Sequence, residues 1–262
     1  MNFENIIVKV SDHVGYLTIN RPEARNALNE ATLNETILAL HQLNDDAEVR
    51  VIQIQGAGDK AFCAGGDLKN MISNMKQNSI TIERFTGNYA RLIDTLIHSK
   101  RPTIAAVQGY ALAGGCGLAA VCDITLASEQ ATFGLPEINI GIWGAIISAP
   151  LARIIGLKKA MELLYTGRKV KAPEALAIGL VNQVVPHDEL EATARKLAAD
   201  IAAKSPLALS MGREALIHTQ DMELMKSIKY LRYMVTTLMG SEDANEGISA
   251  FLEKRKPLWK NQ

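Results

Sequence analysis

Several chemistries are missing from this 262-residue chain before any motif is sought. No charge of one sign prevails: 28 Lys and Arg stand against 28 Asp and Glu, leaving formal net charge zero. There is thus no basic field of the kind that holds nucleic acid, although a local basic pocket for a phosphorylated ligand remains open. Cysteine is scarce. Cys63, Cys116 and Cys122 lie in apolar surroundings without CxxC spacing, and His13, His41, His98, His187 and His218 are scattered. That pattern argues against a zinc site and reads as buried free thiols in a reducing compartment. No GxSxG elbow marks a serine hydrolase, and no GxxxxGK[ST] loop marks a P-loop nucleotide-binding protein. Residues 103–122 carry no charge, yet Gln108, Tyr110 and the glycines make them a poor lipid-facing helix. Met1-Asn2-Phe3-Glu4-Asn5 lacks the basic and apolar regions of a signal peptide. The expectation is a cytoplasmic protein, or the mature form of an organellar one, without a membrane span.

Hydrophobic residues make up 48% of the chain, enough for a substantial core in one large α/β domain or two smaller ones. Residues 6–10 and 14–19 are β-branched runs separated by Ser11-Asp12-His13, a hairpin signature. Leu33, Ile37, Leu40 and Leu43 give residues 31–43 a helical period. Residues 51–55 read as a buried strand, 56–59 as a turn, and 82–97 as a helix. Pro102 then breaks the chain before a strand over 103–107 that ends at the polar Gln108. Helices are predicted over 145–155, 158–164 and 173–177, with a short strand over 180–185. From Asp188 the pattern is almost wholly helical, with Ser205-Pro206 marking a fresh helix start. The division expected is a β-containing core over 1–185 and a helical region over 186–262 serving as lid or subunit contact. No repeat, low-complexity tract or long linker interrupts either part.

Three segments carry candidate chemistry. In Phe62-Cys63-Ala64-Gly65-Gly66-Asp67-Leu68 a glycine loop follows a strand, and Asp67 is placed to cap the next helix. Such a loop either presents free N–H groups or merely turns the chain. In residues 105–117 an apolar strand runs into a glycine turn and then a helix. Gly114 and Gly115 are expected to supply unusual backbone conformations and close approach, and the free N–H groups a site for negative charge. Gly115-Cys116-Gly117-Leu118-Ala119-Ala120 also matches GxGxxA. A dinucleotide site would need a βαβ unit with an acidic residue ending its second strand, which is not evident. Close packing of a helix on a strand is the bland alternative. Third, Glu137 sits in Leu-Pro-Glu-Ile-Asn-Ile-Gly among apolar neighbours. If buried, its carboxyl would hold its proton more tightly and suit proton transfer to and from carbon; on the surface it would be an ordinary loop glutamate. The run Glu253-Lys254-Arg255-Lys256 is either a solvated helix end or a phosphate contact.

Taken together these segments resemble the crotonase family, also called the enoyl-CoA hydratase/isomerase family, over nearly the whole chain. The resemblance runs from Asn20-Arg21-Pro22-Glu23-Ala24-Arg25-Asn26-Ala27-Leu28 through residues 61–68, 109–123 and Phe133-Gly134-Leu135-Pro136-Glu137. It continues through residues 175–185, with Gly179-Leu180-Val181, to Phe251-Leu252-Glu253-Lys254-Arg255. It implies an α/β fold, a spiral of ββα turns with a C-terminal α-helical region, assembled as a homotrimer or homohexamer. It further implies an oxyanion hole from the N–H groups of Gly66 and Gly114, with Glu137 as general acid/base. Arg25, Ala27, Ala64, Gly65, Asp67, Leu68 and Lys69 would line the coenzyme A site, and Lys254 would reach its phosphates. Coenzyme A is here part of the acyl-CoA substrate, so no separate cofactor and no metal is expected.

One departure from the family pattern matters. Hydratases of the best-known type hold a water between two glutamates, the second matching Glu137 and the first matching Gly117. One carboxylate suffices to move a proton between two carbons, which favours double-bond isomerisation, though one water and a single base also permit hydration. Gly141-Ile142-Trp143-Gly144-Ala145 departs as well, and Trp143 is expected to narrow the acyl pocket or exclude water. The reaction expected is the shift or hydration of an enoyl-CoA double bond in fatty acid or related acyl-CoA metabolism. The alternatives are a decarboxylase or other lyase on the same scaffold, or a non-catalytic acyl-CoA-binding or RNA-binding scaffold.

Overall fold

Ile6–Ser11 (β1) and Val14–Ile19 (β2) form the predicted hairpin, antiparallel from Ile6 opposite Ile19 to Ser11 opposite Val14. Asp12 and His13 take φ of 51° and 62°, the left-handed pair that tight hairpin turns use. The computed structural model describes residues 3–262, with side chains for all of these except residues 74–77. Met1 and Asn2, part of the N-terminus considered above, lie outside the described residues. Glu30–Asp45 (α1) follows, capped by Asn29, whose side chain accepts from the Thr32 N–H. Its periodic Leu33, Ile37, Leu40 and Leu43 are all buried.

From there the chain winds in successive turns of strand, short strand and helix. The first comprises Val51–Gly56 (β3), Ala61–Cys63 (β4), Leu68–Gln77 (α2) and Ser79–Ile97 (α3). The second is Thr103–Val107 (β5), Tyr110–Leu112 (β6) and Gly114–Ala120 (α4). The third is Ile124–Ser128 (β7), Thr132–Gly134 (β8), a 3-10 segment Pro136–Ile140, Ala145–Ile155 (α5) and Leu157–Thr166 (α6). Lys169–Lys171 (β9), Ala172–Ala177 (α7) and Gln183–Val185 (β10) lead to four helices: Leu190–Ala202 (α8), Pro206–His218 (α9), Leu224–Met239 (α10) and Glu242–Leu252 (α11).

Each turn places its first strand in one sheet and its short strand in another. The larger sheet has the order β1-β2-β3-β5-β7-β10 and is parallel except for the hairpin; the smaller is β4-β6-β8-β9, antiparallel only at β9. The inner strands β3, β5 and β7 of the larger sheet are covered on both faces and are largely apolar. Val51, Ile104, Ala106 and Leu126 face Leu190, Ala194, Ala198 and Ala202 of α8. The alternate Ile52, Ile54, Ala105 and Val107 join the main core with Leu33, Leu40, Leu92 and Phe133. At the far side Arg213 of α9 ties the helical region to this core. Its guanidinium donates to the carbonyls of Leu96 and Ile97 at the end of α3, 2.9 Å each, and pairs with Asp123 at 2.8 Å.

One expectation differs from what is observed, and some strands were not anticipated. Of the strand predicted over 180–185, only Gln183–Val185 pairs in the sheet. Leu180 and Val181 are buried in the main core as loop residues, so their apolar character reflects packing and not strand pairing. The short strands β4, β6, β8 and β9 have three residues each, too few for alternation to mark them in a sequence.

Candidate functional site

The glycine loops that end β4 and β6 lie side by side because those strands are parallel neighbours. Gly65 has φ of 92°, and a Cβ there would stand 2.6 Å from the Ala113 Cβ and 2.8 Å from the Leu112 carbonyl. Only glycine lets the first loop rest against the second. Leu28 fixes the first loop from behind: its N–H donates to Gly65 O at 2.7 Å, and its carbonyl accepts from Asp67 N–H at 2.9 Å. In the second loop the strained residue is Ala113, at φ 51°, not a glycine. Gly114 and Gly115 are helical. What makes Gly115 necessary is closeness, since a Cβ would collide with the Cys63 carbonyl. The expectation of unusual backbone angles at these two glycines is therefore corrected to one of close approach.

Among the described residues, the N–H groups of Gly66 and Gly114 have no hydrogen-bond acceptor. Both glycines line one cavity of about 730 Å³, with walls mainly apolar, among them Leu28, Met71, Phe85, Ile142 and Ile147. Glu137 enters the same cavity from the 3-10 segment. Its Oε2 is buried without a partner. Burial raises its carboxyl above the ordinary value of 4.5, against the lowering influence of its own backbone N–H. Tyr89 of α3 lines the cavity too, and its hydroxyl donates to the Gly114 carbonyl at 2.8 Å. Trp143 forms part of the wall, its ring 5.6 Å from that of Tyr165. The arrangement offers two free donors for a developing oxyanion and one carboxyl poised for proton transfer, in a pocket shaped for an apolar chain.

A family model described as enoyl-CoA hydratase/isomerase matches residues 9–262. The chain belongs to the enoyl-CoA hydratase/isomerase family. Among its relatives is a probable enoyl-CoA hydratase of Mycobacterium tuberculosis, 41% identical over 98% of each chain. Another is the short-chain-enoyl-CoA hydratase of Clostridium acetobutylicum, 37% identical over 98% of this chain and 97% of the relative. The crystal structure of an enoyl-CoA hydratase from Bacillus anthracis superposes with TM-score 0.94 at 35% identity, covering 99% of this chain and all of the other. The α/β architecture expected for a crotonase-family chain is thus the one observed.

Of the residues singled out in the sequence, Ala64, Gly66, Leu68, Gly114, Glu137 and Trp143 line the cavity. Arg25, Ala27, Gly65, Asp67, Lys69 and Lys254 are not part of its lining. Asp67 caps α2, accepting from the Lys69 and Asn70 N–H groups, and pairs with Arg21 at 3.1 Å. Burial works to raise its carboxyl, but the Arg21 guanidinium and these N–H groups hold it below its ordinary value. Arg25 is exposed in the left-handed region, and its carbonyl accepts from the Ala64 N–H at 3.0 Å. Ala27 is buried, and its carbonyl accepts from the Arg21 guanidinium at 2.6 Å. Lys69 is exposed at the start of α2, and Lys254 is exposed beyond α11. All three cysteines are free and buried. Among the described residues no three His, Cys, Asp or Glu gather as for a metal ion, and no helix is long and apolar enough to cross a membrane.

The sequence reading passed over Phe85, Tyr89 and Ile147. A signal existed for the first two: they are four residues apart and share one face of α3, but that helix carries apolar residues on more than one side. Position 117 is explained by the same residues. A Cβ on Gly117 would collide with Ile147 Cγ2 and stand 2.6 Å from the Tyr89 hydroxyl.

Proposed function

We propose that this chain acts on a 2-enoyl-CoA thioester, adding water across the double bond by way of an enolate. The observation that carries this reading is the unpartnered Glu137 Oε2 in one cavity with the free N–H groups of Gly66 and Gly114. The thioester oxygen accepts from both N–H groups as negative charge builds on it; each such donor is worth about 10²–10³ in rate. Glu137 takes a proton from water as the water oxygen bonds to C3. The same carboxyl then returns that proton to C2, so the residue ends as it began. The relatives named as hydratases support this choice. Double-bond shift is the second reading, favoured by the absence of a side chain at Gly117.

Arg25, Lys69 and Lys254 are exposed cations suited to the phosphates of coenzyme A, with Ala27, Ala64, Gly65, Asp67 and Leu68 shaping the loop beside them. Coenzyme A arrives as part of the substrate, and no further cofactor enters the chemistry. The same reading makes the chain a cytoplasmic enzyme of fatty acid or related acyl-CoA metabolism. Its partners are further copies of itself in a homotrimer or homohexamer, held through the helical region 186–262. The test is to supply purified protein with 2-butenoyl-CoA and, separately, 3-hexenoyl-CoA, following products by chromatography with mass detection. A product of the first heavier by one water supports hydration. A product of the second with unchanged mass and shifted retention supports isomerisation, and binding without turnover of either removes the catalytic reading.

A further inference from the structure

A side chain at position 117, which matches the family's usual first glutamate, would begin in space held first by Ile147 and next by the Tyr89 hydroxyl. Tyr89 reaches across from α3 so that its ring lies against Gly114, where a Cβ would stand 3.1 Å from Tyr89 Cε2. Its hydroxyl lies 2.6 Å from where a side chain at 117 would begin. A phenol oxygen both donates and accepts. Its one proton is committed to the Gly114 carbonyl at 2.8 Å, which leaves its lone pairs free to accept. Burial keeps this phenol protonated well above its usual range, with Cys63, Cys116 and Glu137 adding to the effect. Across the same cavity, Glu137 Oε2 is an acceptor with no partner.

We infer that Tyr89 is a catalytic residue, holding the reacting water together with Glu137 in the manner of a second carboxylate. The proposal rests on the enoyl-CoA reading of the site. A water has two protons to donate. With one given to the Tyr89 oxygen and the other to Glu137, both of its lone pairs stay free and one faces C3 of the substrate. The bond that forms joins the water oxygen to C3; the bond that breaks is the O–H facing Glu137. The proton passes through Glu137 to C2, while Tyr89 neither gains nor loses one. Nothing is oxidised or reduced. Glu83, which also lines the cavity, is solvent-exposed on α3 and has no such fixed orientation.

This role differs from mere support of the Gly114 loop in a measurable way. Exchange of the C2 protons of butyryl-CoA with deuterated solvent needs a base and an oxyanion hole but no held water. Tyr89→Phe removes one oxygen and is expected to lower kcat for hydration of 2-butenoyl-CoA by about 10²-fold, with KM and C2 exchange close to those of the unchanged protein. Should the phenylalanine variant not accumulate folded, 3-fluorotyrosine at position 89, which keeps the ring and its bond to Gly114 but weakens the oxygen as an acceptor, is expected to slow hydration and leave C2 exchange as it was. If hydration and exchange fall together, the hydroxyl only supports the oxyanion loop and the proposal is overturned. It is equally overturned if hydration is unaffected. An unchanged protein that catalyses neither hydration nor exchange would sink the enoyl-CoA reading itself, and the role of Tyr89 with it.

Discussion

At Glu137 the burial that suits the carboxyl to proton transfer also makes it costly to ionise in the folded chain. The folded form holds this proton more tightly than the unfolded form does. Stability therefore falls as pH rises from the ordinary 4.5 through the raised value. Glu137→Gln removes that ionisation and is expected to raise the thermal midpoint at neutral pH, while lowering kcat by about 10²–10⁴. A melt and a rate assay on one preparation check both. In the unchanged enzyme, kcat/KM is expected to fall on the acid side with a midpoint above 4.5, because the carboxylate is the proposed base. Alone, Glu137 read as well as a loop glutamate; it was legible in the sequence because it stands in Phe133-Gly134-Leu135-Pro136-Glu137, one of the segments that carry the family resemblance. Tyr89 was not, because an aromatic residue on a long helix with several apolar faces has core packing as its ordinary explanation, and only the fold turns it toward position 117.

Among the elements, two glycines in helices allow one chemical change to be tested with opposite signs. In α4, a methyl on Gly115 meets the Cys63 backbone, which has nowhere to move. In α9, a methyl on Gly212 meets nothing within 4 Å. Gly115→Ala is therefore expected to cost about 1–3 kcal/mol through overpacking and to reduce activity by spreading the two loops. Gly212→Ala is expected to gain about 0.5–1 kcal/mol from helix propensity and a less flexible unfolded chain. Denaturant titrations of the two variants decide the matter. The same contrast shows why some elements were readable and others not. α1 and the strands β1, β2, β3 and β5 are long enough to stand out as a helical period or an apolar run. The three-residue strands of the smaller sheet are defined only by their neighbours, so their positions were invisible until the larger sheet set the turns of the spiral.

For the whole molecule, the telling surface lies on the last helices. α10 has no buried residue, yet Leu224, Met225, Ile228, Tyr233, Val235 and Met239 are all exposed. Apolar area of this extent marks an interaction surface, and further copies of the chain are its proposed occupants. Sedimentation equilibrium is expected to give three or six times the 28.5 kDa chain mass, and Ile228→Asp to shift the distribution toward single chains. A mass of one chain at micromolar concentration would refute this assembly. At this scale the sequence was most informative through its resemblance to the family, which implied the spiral even where individual strands go unseen.

The pairing of β4 with β6 has a consequence for how such a chain diversifies. Neighbouring strands stand about 4.8 Å apart whatever their side chains, so the interval between the loops bearing Gly66 and Gly114 is a gauge cut into the backbone. On the proposed reading, substitution at Glu137 or Trp143 changes the chemistry and leaves that interval as it is. What a lineage built on this gauge would inherit is therefore not a reaction but a fixed measure for an oxygen acquiring charge.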